Sequence, residues 1–472
     1  ITWENGKPMA DAKGEATYAA NFFEWFSEEA PRAYGDTISA TVAGNRVFTL
    51  KEPVGVCGLI TPWNFPAAMI TRKIGPALAA GCTVVAKSPG ETPFTAAALA
   101  ELSVRAGIPP GVVNITAMKN TPEVGEAITS SDIVKKVSFT GSTGVGKLLM
   151  KQSADTLKKL SFELGGNAPF IVFDDADLDV AVNGAIASKF RSSGQTCVCA
   201  NRLYVQRGIY DKFAEAFVAK VKDFKVGHGY DEGVTHGPLI HDRAVSKVEA
   251  HVQDAVKQGG KVLIGGQKLP DLGDNFFQPT VIRDMTSDMA LAHEETFGPV
   301  AGLFPFDTEA EVVKLANDAD VGLAGYFFSR DIQRVYRVAE ALEVGMVGVN
   351  TGLISDPAAP FGGVKQSGLF HTFIIIVRAL LMSLQASDAR VQRSVLMSTW
   401  LPRWSLSVAW ANRCKESREL TTACFTTICT SHISFTLRII YSAYLFSILS
   451  ELCFLVITSD SHIKTKVVVS FD

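Results

Sequence analysis

Two cysteines separated by one residue, Cys197 and Cys199, close the stretch RSSGQTCVCAN that runs from Arg191 to Asn201. Such a pair is half of a metal site, a disulfide, or a nucleophile with a companion. No other Cys or His lies close in sequence to complete a tetrahedral set, so metal is the weakest reading. A thiol just after a glycine-containing turn, with Arg191 near, is placed to be a thiolate nucleophile. Taken alone, a buried inert thiol is the commoner explanation of Cys197.

Other stretches supply what a thiolate would need. In TPWNFP (61–66), Asn64 offers an amide at a strand end, where it could donate to an oxyanion. In FELGG (162–166), Glu163 ends an apolar strand; a carboxylate there is costly unless paired or functional, and partial burial would raise its pKa toward general-base work. A plain cap for the next element is the competing reading of Glu163. In SFTGSTGVGK (138–147), Gly141, Gly144 and Gly146 sit between a strand and a helix, where backbone amides approach a phosphate. As a nucleotide hydrolase P-loop the stretch fails at Leu148, which stands where Ser or Thr would hold magnesium. A ligand-free glycine turn is the bland alternative.

The elements that must position these residues are legible as alternation. From Val54 to about Leu164, apolar runs (VGVCGLI, TVVAKS, GVVNITA, VKKVSFT, LKKLSFELGG) alternate with helical patterns at 67–80 and 95–106. That spacing predicts parallel strands with crossover helices, a doubly wound sheet that binds ligands at its strand carboxyl ends. A second set (PFIVFD, RLYVQ, GLFPF, AGYFFS, GMVGVN), with amphipathic helices at 210–224 and 245–257, predicts a second α/β lobe. Residues 37–50 alternate around Ala43-Gly44-Asn45 and read as a hairpin projecting from the first lobe.

A net charge of −3 and a pI near 6.3 give no basic footprint for nucleic acid. Eight cysteines in 472 residues are too few for a disulfide scaffold. All 39 glycines lie at or before Gly368, and Pro402 is the single proline beyond it. Two regions of different composition therefore meet there, and the second, 370–472, reads as a tail without the turn residues of a folded α/β chain. Its apolar run from Ile439 to Ser459 is interrupted by Glu451 and is a poor membrane span, and none is expected for the body. The chain opens on Ile1, so an upstream segment is expected and no compartment signal is read; cytoplasm or mitochondrion is the expectation.

Taken together and in order, TPWNFP, GSTGVG, FELGG, GQTC and EETFGP (294–299) resemble the aldehyde dehydrogenase superfamily over about residues 1–369. MITRK (69–73), FRSSGQTCVC and GLIS (352–355) are most similar to its branch acting on succinate semialdehyde. The resemblance implies a cofactor-binding domain over 1–165 carrying the hairpin as oligomerisation element, and an α/β catalytic domain over 166–369. It implies oxidation of succinate semialdehyde to succinate, with glutarate semialdehyde as the nearest alternative. Cys197 would attack the aldehyde, Asn64 and the Cys197 N–H would hold the oxyanion, and Glu163 would activate the hydrolytic water. NAD or NADP would lie on Trp63, Gly141, Ser142 and Gly146, with Lys87 at the adenosine ribose, Glu295 at the nicotinamide ribose and Phe297 packed nearby. Arg72 and Arg191 match arginines that clamp the substrate carboxylate, helped by Ser355; offsetting a helix dipole is the plainer role for Arg191. Cys199 matches a cysteine that pairs with the nucleophile as a redox switch.

Two departures shape these expectations. Gly90, in AKSPGETP (86–93), replaces the glutamate that NAD-preferring relatives use on the ribose, which predicts NADP or dual use with Lys87 and Ser88 as neighbours. After FGGVKQSGL the family's GRE continuation is replaced by FHTFIIIV. That removes the strand through which members pair across subunits, argues against the family's homo-oligomer, and makes an inactive or non-folding product the rival outcome.

Overall fold

The computed structural model describes residues 1–118, 121–368 and 390–398. Cys414, Cys424, Cys429 and Cys453 and the Ile439–Ser459 run lie outside the described residues. All the elements below up to Lys365 belong to one compact unit, apart from the first residue of strand Asn45–Pro53.

Five apolar runs form the first sheet, all parallel, in the order Val113–Ala117, Thr83–Ser88, Val56–Ile60, Val134–Thr140, Lys159–Glu163. The strand of this sheet that comes first in sequence, Val56–Ile60, is central, and building switches sides between it and Val134–Thr140. That switch opens a crevice at the strand carboxyl ends, and TPWNFP leaves one of these two strands while GSTGVG leaves the other. Both faces are covered, as a parallel sheet requires. Cys57, Leu59, Val84 and Ala86 pack with Ile70, Ile74, Ala77 and Ala96 on one side, and Phe139 and Phe162 with Ile128 and Leu149 on the other.

The second sheet has seven strands: Lys261–Ile264, Thr280–Arg283, Val300–Phe306, Ala200–Gln206, Ala168–Val172, Ala324–Phe328, Met346–Val349. Only the first pair is antiparallel. The two strands at that edge were not expected; each has four residues, too few for a pattern to stand out from loops. Aromatic and β-branched side chains fill the cores on both faces, including Phe170, Phe213, Phe217 and Phe328 on one and Phe173, Phe304, Phe306 and Phe327 on the other.

Helix Met9–Glu29 buries Ala12, Glu15, Ala19, Phe22 and Phe26 along one stripe and packs on helix Ala68–Ala79. The hairpin forms as expected, Thr37–Ser39 against Asn45–Pro53. The tail is not wholly without structure: Arg390–Ser398 is a strand beside Asn45–Pro53, so that hairpin edge is paired.

Candidate active site

Helix Leu178–Lys189 ends short of the cysteines, and the chain then turns through Ser192, Ser193 and Gly194 at φ 54°, 55° and 77°. This left-handed run costs the two serines conformational energy. At Gly194 it admits no side chain, since a Cβ would lie 2.1 Å from the Gly298 carbonyl oxygen. The turn carries Gln195 to Asn64, whose Nδ2 donates to the Gln195 carbonyl at 3.0 Å. Gln195 is held in turn by the Ile240 N–H, which donates to its Oε1 at 3.0 Å. An amide nitrogen has two hydrogens, so the bond to Gln195 orients Asn64 and leaves its second N–H to give. Asn64 is 3% exposed, so that donor works in a poorly solvated place.

Asn64 and Cys197 share the wall of a cavity of about 370 Å³ with Trp63, Gly141, Ser142, Glu295 and Phe297. The Trp63 and Phe297 rings meet edge to face at 5.6 Å, and Phe297 takes a left-handed φ of 51°. Ser142, on the cavity wall, opens helix Thr143–Ser153 without a side-chain cap, which leaves the helix N-terminus without a side-chain acceptor of its own. Gly146 lets that helix pack on strand Lys159–Glu163 and its continuation: a Cβ there would stand 2.4 Å from Leu164 Cδ2. A glycine-edged helix start, a half-buried carboxylate and two aromatic rings around one cavity fit a dinucleotide.

The resting electrostatics differ from expectation at Cys197. Part of its surface opens on the cavity, yet burial pushes the thiol up to about 12, helped by Glu295 and Glu163 and opposed by Arg72. Arg72, not Arg191, is the cation felt there, and the resting group is a thiol. Burial likewise pushes Glu295 up to about 7, against the Gly166 N–H donating at 3.4 Å and the charges of Lys247 and Lys189. Cys199 lies in the core, its thiol donating to the Lys189 carbonyl at 3.6 Å and raised by burial. No disulfide joins the two.

Glu163 lines a second, smaller cavity of about 100 Å³ with Arg72, Lys73, Lys136 and Phe361, and Thr140 belongs to both cavity walls. Lys73 donates to Ser138 Oγ at 2.7 Å, and its pKa is lowered by burial against the pull of Glu163. Arg72 donates to Tyr18 Oη at 3.0 Å and lies over the Phe22 and Phe361 rings. Arg191 lies 5.1 Å from the Phe65 ring centre. Among the described residues no hydrogen bond joins the half-buried Ser355, in the loop after Thr351, to either arginine. Lys87 and Ser88 end strand Thr83–Ser88, buried, with Ser88 Oγ donating to the Thr116 carbonyl at 3.3 Å. A Cβ at the exposed Gly90 would meet nothing nearer than the Met118 carbonyl oxygen at 3.9 Å.

Several wall residues escaped the sequence. His241, Arg243 and Lys247, from the start of helix Asp242–Lys257, line the Cys197 cavity, and Lys247 Nζ donates to the Glu295 carbonyl at 2.6 Å. Their charges look like an ordinary solvated helix face. Lys73 had a signal in retrospect: a lysine beside Arg72 inside an otherwise apolar helix.

The aldehyde dehydrogenase family model matches residues 1–374. Succinate-semialdehyde dehydrogenase [NADP(+)] 1 of Schizosaccharomyces pombe is 60% identical over 368 residues, covering 78% of this chain and 74% of that one. Glutarate-semialdehyde dehydrogenase of Pseudomonas putida is 59% identical over 369 residues, 78% of this chain and 76% of its own. The crystal structure of succinate-semialdehyde dehydrogenase from Burkholderia pseudomallei superposes with a TM-score of 0.80 at 56% identity, covering 84% of this chain and 80% of that one.

Proposed function

The chain belongs to the aldehyde dehydrogenase family, and from that premise we propose that it oxidises succinate semialdehyde to succinate with NADP or NAD. The observation that carries the reading is the single cavity shared by Cys197, Asn64, Glu295 and the Gly141–Ser142 helix start. The relatives' names support the substrate and NADP.

The thiol of Cys197 gives its proton to water in the cavity as Sγ bonds to the aldehyde carbon. The carbonyl oxygen becomes an oxyanion, held by the second Nδ2 hydrogen of Asn64 and by the Cys197 N–H. Gly141, Ser142 and the first-turn amides would hold the cofactor's phosphates, Trp63 and Phe297 would flank it, and Glu295 would accept from a ribose. When bound, the cofactor accepts the aldehyde hydride, which leaves a thioester on Cys197. Glu163 then takes a proton from the water that cleaves the thioester, releasing succinate and the thiol. Thr140 lines both the Glu163 cavity and that of Cys197, so the two sites adjoin there. Arg72 and Arg191 would hold the distal carboxylate through charge-assisted hydrogen bonds.

The test is NADPH or NADH formation, followed by absorbance, from the purified full chain with succinate semialdehyde, glutarate semialdehyde and Cys197→Ala alongside. Turnover that requires Cys197 and is fastest with succinate semialdehyde is the expected result. Turnover unaffected by Cys197→Ala overturns the mechanism, and a preference for glutarate semialdehyde overturns the substrate.

A further inference from the structure

One segment near the chain start touches the backbone on both sides of Asn64. Asn5 Nδ2 donates to the Trp63 carbonyl at 3.0 Å. Lys7 Nζ lies 3.6 Å from the Phe65 ring centre and pairs with Glu15 Oε2 at 2.6 Å. Glu15 Oε1 accepts from the Ala67 N–H at 2.8 Å and the Ala68 N–H at 3.4 Å. Those are the opening amides of helix Ala68–Ala79, whose N-cap, Ala67, has no side-chain acceptor of its own. The same segment reaches the cysteine loop, because Asp11 Oδ2 accepts from the Ser192 N–H at 3.3 Å.

We propose that Asn5, Lys7 and Glu15 act as one set of positioning residues for the oxyanion site, holding the Trp63–Ala68 backbone from both sides so that Asn64 keeps its aim. The inference rests on the reading of Asn64 as oxyanion donor. Two features separate it from plain stabilisation. Lys7 and Glu15 are 3% and 1% exposed, and an ion pair so buried is a poor source of stability, since apolar residues of the same size do as well or better. Glu15 also spends its second oxygen on the backbone three residues past Asn64, where a shift of well under an ångström moves the donor off the developing charge. Arg191 leans on the same Phe65 ring, so the ring is fixed from the substrate side as well.

Two matched double variants of the full chain test this. Lys7→Met/Glu15→Gln removes both charges but keeps an oxygen for the Ala67 N–H; Lys7→Met/Glu15→Leu removes both charges and the acceptor. The expected result is a kcat about tenfold lower for the leucine variant than for the glutamine variant, with KM for the semialdehyde within about twofold. Equal kcat in the two overturns the proposal. If neither double variant folds, Asn5→Ala carries the test by removing only the donor to Trp63: a severalfold loss of kcat at steady KM supports positioning, and unchanged kcat overturns it. Asn64→Ala, measured alongside, separates the two levels. Unchanged kcat in Asn64→Ala sinks the oxyanion reading itself, whereas a loss of about a hundredfold there, with matched double variants, sinks only the role of Lys7 and Glu15.

Discussion

Glu295→Gln is the perturbation for which the structure fixes both sign and size. Burial raises the Glu295 carboxyl from its ordinary value to about 7, so between pH 5 and 7 the folded chain holds a proton that the unfolded chain has released. Stability from this group is fully present below the unfolded pKa and is lost as pH rises through the folded one. With an unfolded value near 4.5 and a folded value near 7, the loss between about pH 5 and pH 8 is about 2.5 kcal/mol. Glutamine keeps the shape and the acceptor for the Gly166 N–H but has no proton to exchange. Urea unfolding of the cofactor-free protein at the two pH values reads the difference. The variant should gain about 2.5 kcal/mol on wild type across that range, nearly half of it already by about pH 6 and little more above pH 7. Parallel pH curves for the two proteins would refute the buried-carboxylate argument, and with it the assignment of Glu295 as a dry acceptor at the cofactor wall.

Other outcomes follow from the same geometry. Gly90→Glu meets no backbone within 3.9 Å of its Cβ, so it should fold normally and move the ratio of kcat/KM for NADP over NAD toward NAD by tenfold or more, about 1.4 kcal/mol or above; an unchanged ratio removes Gly90 from cofactor choice. Arg191→Ala should cost about 2 kcal/mol in kcat/KM for succinate semialdehyde and little for butanal, which has the same length and no carboxylate; equal losses would return Arg191 to a structural role. Peroxide should inactivate the enzyme reversibly as the Cys197 and Cys199 thiols oxidise to a disulfide and peroxide is reduced to water, with activity restored by dithiothreitol. Cys199→Ser should make that loss irreversible, and recovery equal to wild type would dismiss Cys199 as a switch.

Much of the fold was legible because a parallel strand buried on both faces must be an apolar run, and a crossover helix must repeat at its own period. Val56–Ile60, Thr83–Ser88 and Val134–Thr140 announce themselves in this way. The positions of Asn64, Gly141 and Cys197 follow from them, since each sits just past a strand or helix end. Short edge strands such as Lys261–Ile264 did not show, because four residues carry too little pattern.

What the sequence by itself determined is the residue types at each strand end, and so the chemistry on offer. Tertiary structure alone decided how those residues are charged and aimed. Cys197 is a thiol pushed up to about 12, although Arg191 stands close in sequence, because desolvation acts through every neighbour and the cation it feels is Arg72, from another helix. Glu163 rests among Arg72, Lys73 and Lys136 in a cavity beside that of Cys197, which strand position could not foretell. The grip of Lys7 and Glu15 on Ala67 spans 52 residues between Glu15 and Ala67. Periodicity is a local property that a few neighbours carry, whereas burial and Coulomb forces sum over whatever the fold brings near.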